Sequence, residues 1–194
     1  LLLGWGVLPL ALYFSGVEGD TTRLVTRAAL IPTWFLAIYI AIVMLAPLTY
    51  QAWRRWGIAS LLGLAAMAAL VDVAFFVADL RWLGWTQYFW VWLTVHQLGY
   101  AWRDGRLGSP ARLLGWSLLG FATLWALIFN GPYPFAMVGS PDEGLSNTLP
   151  PKITLIALGV CQFGLLLSIE APMRRLLSSV RLWAVTVLIN SMIM

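Results

Sequence analysis

The sequence predicts an all-α protein, a polytopic bundle of transmembrane helices, on the strength of three observations. In composition, 61% of the residues are hydrophobic and only 10% are charged, whereas soluble domains carry about 25% charged residues. Apolar runs of about 20 residues, the length that spans a bilayer, also recur along the whole chain. Finally, positive charges concentrate in every second link between these runs. We therefore expect a single transmembrane domain over residues 1–194, without a soluble part.

Seven apolar segments can be drawn, and both ends of the chain fall inside one of them. This placement of the ends leads us to interpret the chain as an internal piece of a longer protein. The second segment starts where Pro32 suits a first helical turn, and it ends before Arg54 and Arg55. The predicted segments cover about residues 1–14, 30–53, 58–77, 86–102, 113–129, 153–169 and 182–194.

Polar links separate the later segments. A tight link at residues 79–84 divides the third segment from the fourth, and a stretch rich in Arg and Gly follows the fourth. The link from Asn130 to Pro151 is the longest, and its Gly, Pro, Ser and Asn content is typical of a surface loop.

The charges of the links predict the orientation in the membrane. The links after segments two, four and six, which contain Arg54, Arg103 and Arg174, are strongly basic, and the alternate links are not. The positive-inside rule assigns the basic links to the cytoplasm and the loop from Asn130 to Pro151 to the opposite side. We therefore expect a multi-pass protein of the plasma membrane, with membrane lipids as partners and no nucleic acid.

The only histidine, His96, is the first candidate for a catalytic group. A neutral imidazole within the membrane could accept or relay a proton. The alternative is a buried histidine that only hydrogen-bonds a neighbouring helix. With one histidine and one cysteine, Cys161, we expect no metal site. Helical spacing places a polar and aromatic stripe on one helix face, made of Tyr88, Trp92, His96, Tyr100 and Arg103.

Asp72 lies within an apolar run of the third segment. A carboxylate inside the membrane is a functional hypothesis by default, and its expected partners are His96, Gln87 or a residue on a segment outside this chain. The alternative is a structural anchor that joins two helices by hydrogen bonds.

Two further groups could bind substrate. Arg103, Arg106 and Arg112 could hold the phosphates of a cytoplasmic donor, because guanidinium groups bind phosphate through paired hydrogen bonds; the alternative is a topology signal that attracts anionic lipid. Ser146 and Asn147 belong to a loop that could fold over the mouth of a cavity, or could form a rigid turn that caps the next helix.

Several short motifs follow one another along the chain. They include PTWFLAIY from Pro32, VDV from Val71, VHQLGYAWRDG from Val95 and SNTLPP from Ser146. In this order and spacing they resemble the membrane-bound acyltransferase-3 family, whose members transfer acyl groups onto sugars, glycolipids and cell-wall polymers. The resemblance implies a larger helix bundle, acyl-CoA as the cytoplasmic donor substrate, a glycan or glycolipid acceptor at the outer face, and no bound cofactor.

The resemblance also implies that the family's catalytic histidine lies on a first helix that precedes this chain. The chain would then be the central and carboxy-terminal helices of a larger acyltransferase. The positions that carry over are then supporting ones, namely Asp72, His96, Gln97, Tyr100, Arg103, Asp104, Ser146 and Asn147.

The sequence thus predicts an integral membrane O-acyltransferase that transfers an acyl group from acyl-CoA to a hydroxyl of a sugar, glycolipid or cell-wall acceptor. We assign catalytic roles to His96, Tyr100 and Asp72. Substrate binding is assigned to Gln97, Arg103, Asp104, Arg106, Ser146 and Asn147. Two alternatives remain. A proton-coupled transporter or lipid-linked glycan flippase should show a repeat or paired broken helices, and a non-catalytic membrane subunit should direct its polar groups at another chain.

Overall fold

The computed structural model describes the backbone of residues 19–138 and 145–179, and the side chains of residues 36–138 and 145–175. Within these ranges the regular structure is helical, apart from a single β-bridge between Thr148 and Pro151. The all-α prediction is therefore confirmed. The six α-helices are α1 (Gly19–Trp56), α2 (Ile58–Phe76), α3 (Gln87–Arg103), α4 (Pro110–Asn130), α5 (Ile153–Ser168) and α6 (Glu170–Ser179), and a 3-10 helix, Arg81–Thr86, precedes α3.

Among the described residues, three helices are long and apolar enough to cross a membrane. They are Leu36–Trp56 within α1, and the whole of α2 and α4. The prediction of seven spanning segments is therefore wrong. With 17 and 16 residues, α3 and α5 reach only about 24–26 Å, which is short of the roughly 30 Å of a hydrocarbon core. The first and seventh predicted segments lie outside the described residues.

Two helix starts differ from the prediction. Helix α1 already includes Gly19, so part of the predicted polar link at 16–23 is helical. Helix α4 begins at Pro110 rather than near residue 113. Proline fits this first turn because its missing N–H has no acceptor there in any helix.

Gly57 alone links α1 to α2. Its φ of +57° is in the left-handed region, which glycine adopts without strain. A Cβ at this position would lie 2.5 Å from a guanidinium nitrogen of Arg106. The guanidinium is the end of a flexible side chain and could move aside, so it is the positive φ that explains why a glycine forms the link.

The chain divides into two compact units, residues 1–51 and 52–194. In the second unit α2 packs against α3, and α4 packs most extensively against α5. The backbones of α4 and α5 approach closely, because a Cβ on Gly120 would lie 2.6 Å from the amide nitrogen of Cys161 and one on Gly164 would lie 2.5 Å from the carbonyl oxygen of Leu113. Small residues at helix contacts are characteristic of packing in lipid.

Helix ends meet at two places in this second unit. The indole Nε1 of Trp53, near the end of α1, donates to Asp104, just after α3. At the start of α3, Gln87 donates to Asp72, near the end of α2. We call these places the Arg103 end and the Asp72 end. The links after α1 and α3 therefore share one end, as the alternating charges predict.

The long helices expose most of their apolar side chains. Only 6%, 22% and 17% of the residues in their three most apolar windows are buried. Leu70 and Leu118, for example, are 61% and 62% exposed. Continuous apolar surface of this extent is unfavourable in water, whereas it suits helices that face lipid.

Candidate functional site

Asp72 connects four parts of the chain at the Asp72 end. Its Oδ1 accepts a hydrogen bond from Gln87 Nε2 at 2.7 Å, and its Oδ2 accepts from Tyr133 Oη at 3.1 Å and from the Ile153 amide at 2.8 Å. The residue is 1% exposed. The expected partner Gln87 is therefore confirmed, whereas none of these bonds goes to His96. Because both carboxylate oxygens are occupied, the geometry favours the anchor interpretation of Asp72.

Lys152, the only lysine of the chain, lies fully buried beside Asp72 and directly before α5. Its Nζ is 3.4 Å from the ring centroid of Phe75, and among the described residues it has no hydrogen-bond partner. The ring face stabilises the ammonium by a cation–π interaction. Burial lowers the pKa of Lys152 to about 8, although the charge of Asp72 opposes this shift. Burial also raises the pKa of Tyr133, and Asp72 adds to that effect.

Asn147 holds together the loop between α4 and α5. Its Nδ2 donates to the carbonyl oxygens of Pro134 at 2.6 Å and Ala136 at 3.0 Å, and its Oδ1 accepts from Thr154 Oγ1 at 2.8 Å. The Oγ of Ser146 accepts from the Leu149 amide. Asn147 is fully buried and Ser146 almost so. In the described part of this loop both residues therefore support the rigid-turn interpretation.

The predicted stripe on α3 is present around His96. The His96 and Tyr100 rings are in edge contact, with centroids 5.0 Å apart, and the Arg103 guanidinium carbon lies 5.6 Å from the Tyr100 centroid. The Nδ1 of His96 is buried without a hydrogen-bond partner among the described residues. An imidazole, a phenol and a guanidinium therefore follow one another along one helix face. Further towards the Asp72 end, Tyr88 stacks on Trp85.

Asp104 joins the ends of α1 and α3. Its Oδ2 accepts from Trp53 Nε1 at 2.7 Å, and its Oδ1 accepts two bonds from Arg103 at 3.0 Å. The Trp53 hydrogen bond, followed by those from Arg103, holds the pKa of Asp104 below its usual value. Arg106 lies over the Trp53 ring, 5.1 Å from its centroid. This arrangement fixes the backbone of the Arg103 end.

Gln97 joins α3 to α2. It is 1% exposed, and its Oε1 accepts a hydrogen bond from Ser60 Oγ at 2.9 Å. The prediction assigned Gln97 to substrate binding, but the structure places it in a helix contact.

An apolar cavity of about 340 Å³ lies between α2, α3, α4 and α5. Its volume is at the lower end of the range for small-molecule sites, about 300–1,000 Å³. Of the predicted site residues only Arg106 lines it, at the Arg103 end. His96, Tyr100 and Asp72 are absent from its described lining. The α3 residues that line it are Leu98 and Ala101, from another face of the helix.

The structure thus groups the predicted site residues into two sets. Arg103 and Asp104 lie near Tyr100 and His96 at the Arg103 end, whereas Asp72, Ser146 and Asn147 lie at the Asp72 end. Among the described residues no group of three His, Cys, Asp or Glu residues is placed to hold a metal ion. Sequence reasoning missed Lys152, although a single lysine in a chain whose other cations are all arginine is a visible signal.

Trp53 and Tyr133 were also missed as partners of carboxylates. An aromatic residue at the end of an apolar segment is ordinarily interpreted as an interfacial anchor, and only the fold reveals these hydrogen bonds.

Comparison with known proteins adds no relative. No protein-family model matches the chain, and neither a curated protein nor a solved structure matches it significantly.

Proposed function

We propose that the chain forms part of an integral membrane O-acyltransferase, which transfers an acyl group from acyl-CoA to a hydroxyl of a sugar, glycolipid or cell-wall acceptor. The observation that carries the proposal is the edge contact between the His96 imidazole and the Tyr100 ring on one face of α3. An imidazole base beside a phenol provides the two groups that acyl transfer to a hydroxyl requires.

In the proposed reaction, His96 removes the proton of the acceptor hydroxyl as that oxygen attacks the thioester carbonyl. The Tyr100 phenol donates a hydrogen bond to the oxyanion that forms. Collapse of this intermediate breaks the carbon–sulfur bond, and the thiolate of CoA leaves with the proton that His96 carries. The products are the acylated acceptor and CoA.

Arg103 supports the donor side of this proposal. Its guanidinium lies next to Tyr100 on the same helix face and pairs with Asp104. Arginine binds phosphate groups through two parallel hydrogen bonds. With the basic links in the cytoplasm, Arg103 would meet the phosphates of a cytoplasmic acyl-CoA.

Asp72 and Asn147 take positioning roles in this proposal. They fasten α2, α3, α5 and the loop between α4 and α5 at the opposite end of the bundle. Tyr133, in the loop after α4, also donates to Asp72 there, and Asp72 belongs to the VDV motif. The acceptor would approach from this side.

The test is transfer of a radioactive acyl group from acyl-CoA to glycan or glycolipid in membranes that contain the full-length protein. We expect His96→Gln to lower turnover by about 100-fold or more, the ordinary contribution of a general base. Tyr100→Phe should lower turnover as well, whereas Tyr88→Phe, the same change near the other end of α3, should not. Unchanged turnover in His96→Gln would remove His96 from the mechanism.

A further inference from the structure

The apolar cavity between α2, α3, α4 and α5 contains one charged group. Its walls are aliphatic and aromatic side chains such as Leu62, Leu119 and Phe163, and Arg106 is the single charged residue among the lining residues that the structure describes. The cavity is partly open to its surroundings. A cation at one end of an apolar cavity matches a ligand with an anionic head and an apolar chain.

Arg106 is available to such a head group. Its guanidinium lies over the Trp53 ring, but the described side chains give it neither a hydrogen bond nor an ion pair. This differs from Arg103, whose guanidinium is bound to Asp104. Because the N–H groups of Arg106 make no hydrogen bond to the described side chains, they can bind a phosphate without first releasing another acceptor.

The length of the cavity indicates the kind of chain. Its lining on α5 extends from Ile153 to Gly164, which is about 17 Å at 1.5 Å per residue. One leaflet of a bilayer contributes half of a hydrocarbon core about 30 Å thick. A single acyl chain from the leaflet next to Arg106 therefore matches the cavity in length and polarity.

We propose that this cavity binds one acyl chain of an anionic phospholipid from the surrounding bilayer, with the lipid phosphate on Arg106. This site is distinct from the His96 and Tyr100 face of α3 and does not depend on the acyltransferase activity. The bound lipid fills the space between α2 and the α4–α5 pair. Its head group neutralises Arg106 at the Arg103 end.

Native mass spectrometry of the full-length protein in mild detergent tests the proposal, with phosphatidylglycerol and phosphatidylcholine as the added lipids. We expect one phosphatidylglycerol to be retained in preference to phosphatidylcholine. Arg106→Gln should weaken its retention about tenfold, as expected for the loss of a charged hydrogen bond. Arg106→Lys should weaken it less, because the charge remains. Arg112→Gln is the matched control, since Arg112 is exposed and does not line the cavity.

A second pair of variants tests the position of the chain. Leu62→Trp places a large ring at the cavity, whereas Leu70→Trp makes the same change on the same helix at a residue outside the lining and equally exposed, at 61% against 60%. We expect only Leu62→Trp to reduce lipid retention, with the melting temperature of both variants unchanged.

Three results would overturn the proposal. These are equal retention of the two lipids, equal retention by Arg106→Gln and Arg112→Gln, and displacement of the lipid from the cavity by an equimolar acyl-CoA. The last result would assign the cavity to the donor substrate. The first two results do not bear on His96, so the lipid proposal can fail by either of them while the acyltransferase proposal stands. The third would also contradict the acyltransferase proposal, because it would place the donor away from the His96 face of α3.

Discussion

Asp72 shows how a single buried residue can organise one end of a helix bundle. Its carboxylate accepts from a side-chain amide, a phenol and a backbone N–H, and Lys152 lies beside it over an aromatic ring. The apolar residues around Asp72 in the sequence predicted that its carboxylate would have a hydrogen-bond partner. The sequence could suggest Gln87, because it begins the next helix. It could not suggest Tyr133 or Ile153, which are distant in the chain and adjacent only after α5 packs on α2 and α3.

Removing the charge of Asp72 should be costly. In Asp72→Asn the charge that attracts the buried Lys152 ammonium is lost, and an amide replaces an oxygen that accepts a hydrogen bond. A buried polar group left without its partner costs about 1–3 kcal/mol, and a charged one costs more. Asp72→Asn combined with Lys152→Met removes both charges, so we expect the double variant to be more stable than Asp72→Asn alone. Thermal unfolding in detergent measures both. If the two substitutions had simply additive costs, the electrostatic link between these residues would be refuted.

Lys152 also predicts a pH dependence of stability. Its pKa of about 8 in the folded protein lies below the value of about 10.4 for an unfolded lysine. Between these values the unfolded chain binds more protons than the folded one, so the free energy of unfolding should rise as the pH increases from 8 to about 10.4. Well below pH 8 the contribution of Lys152 to the free energy of unfolding should not change with pH, because the lysine is protonated in both the folded and the unfolded states.

Denaturant midpoints across this pH window provide the measurement, with Lys152→Met as the comparison. The variant should lack the rise, because methionine does not titrate. Parallel pH curves for the two proteins would show that Lys152 titrates normally in the folded state.

At the scale of elements, the contact between α4 and α5 depends on glycine. A Cβ at Gly120 would lie 2.6 Å from the backbone nitrogen of Cys161, whereas a Cβ at Gly115, on the same helix, would meet no atom within 4 Å. We therefore expect Gly120→Val to separate the helices and to destabilise the protein by about 1–3 kcal/mol or more. Gly115→Val should change stability little.

Melting temperatures of the two valine variants in the same detergent give the comparison. Equal melting temperatures would mean that α4 and α5 do not approach each other at Gly120. The test is specific to packing, because both variants introduce the same side chain into the same helix.

The positions of the helices along the chain could be predicted better than whether each helix spans the membrane or which contacts its residues make. The starts of α2 and α5 near residues 58 and 153 followed from composition and from the polar links, as did the end of α4 near residue 129. The same apolar runs made α3 and α5 resemble full spans. The composition of a run shows that it is apolar, but it does not fix how many of its residues form one helix, and these two helices have only 17 and 16 residues. The positions of Gln97 in a helix contact and of Asn147 inside its loop depend on tertiary packing, which composition does not specify.

At the scale of the whole molecule, the second unit has two ends with different chemistry. Trp53, Asp104 and Arg106 close the Arg103 end, and Asp72, Lys152 and Asn147 close the Asp72 end. The proposed reaction needs the donor at the first end and the acceptor at the second. It therefore requires these ends to lie on opposite sides of a membrane.

Cysteine labelling of intact cells tests this requirement most directly. In a full-length protein whose native cysteines, including Cys161, are replaced by alanine, Ser109→Cys places a single thiol in the link after α3, and Phe135→Cys places one at a residue 78% exposed in the loop after α4. A membrane-impermeant maleimide should label the Phe135→Cys protein in intact cells, and the Ser109→Cys protein only after permeabilisation. Equal labelling of both in intact cells, or the reverse pattern, would contradict the account.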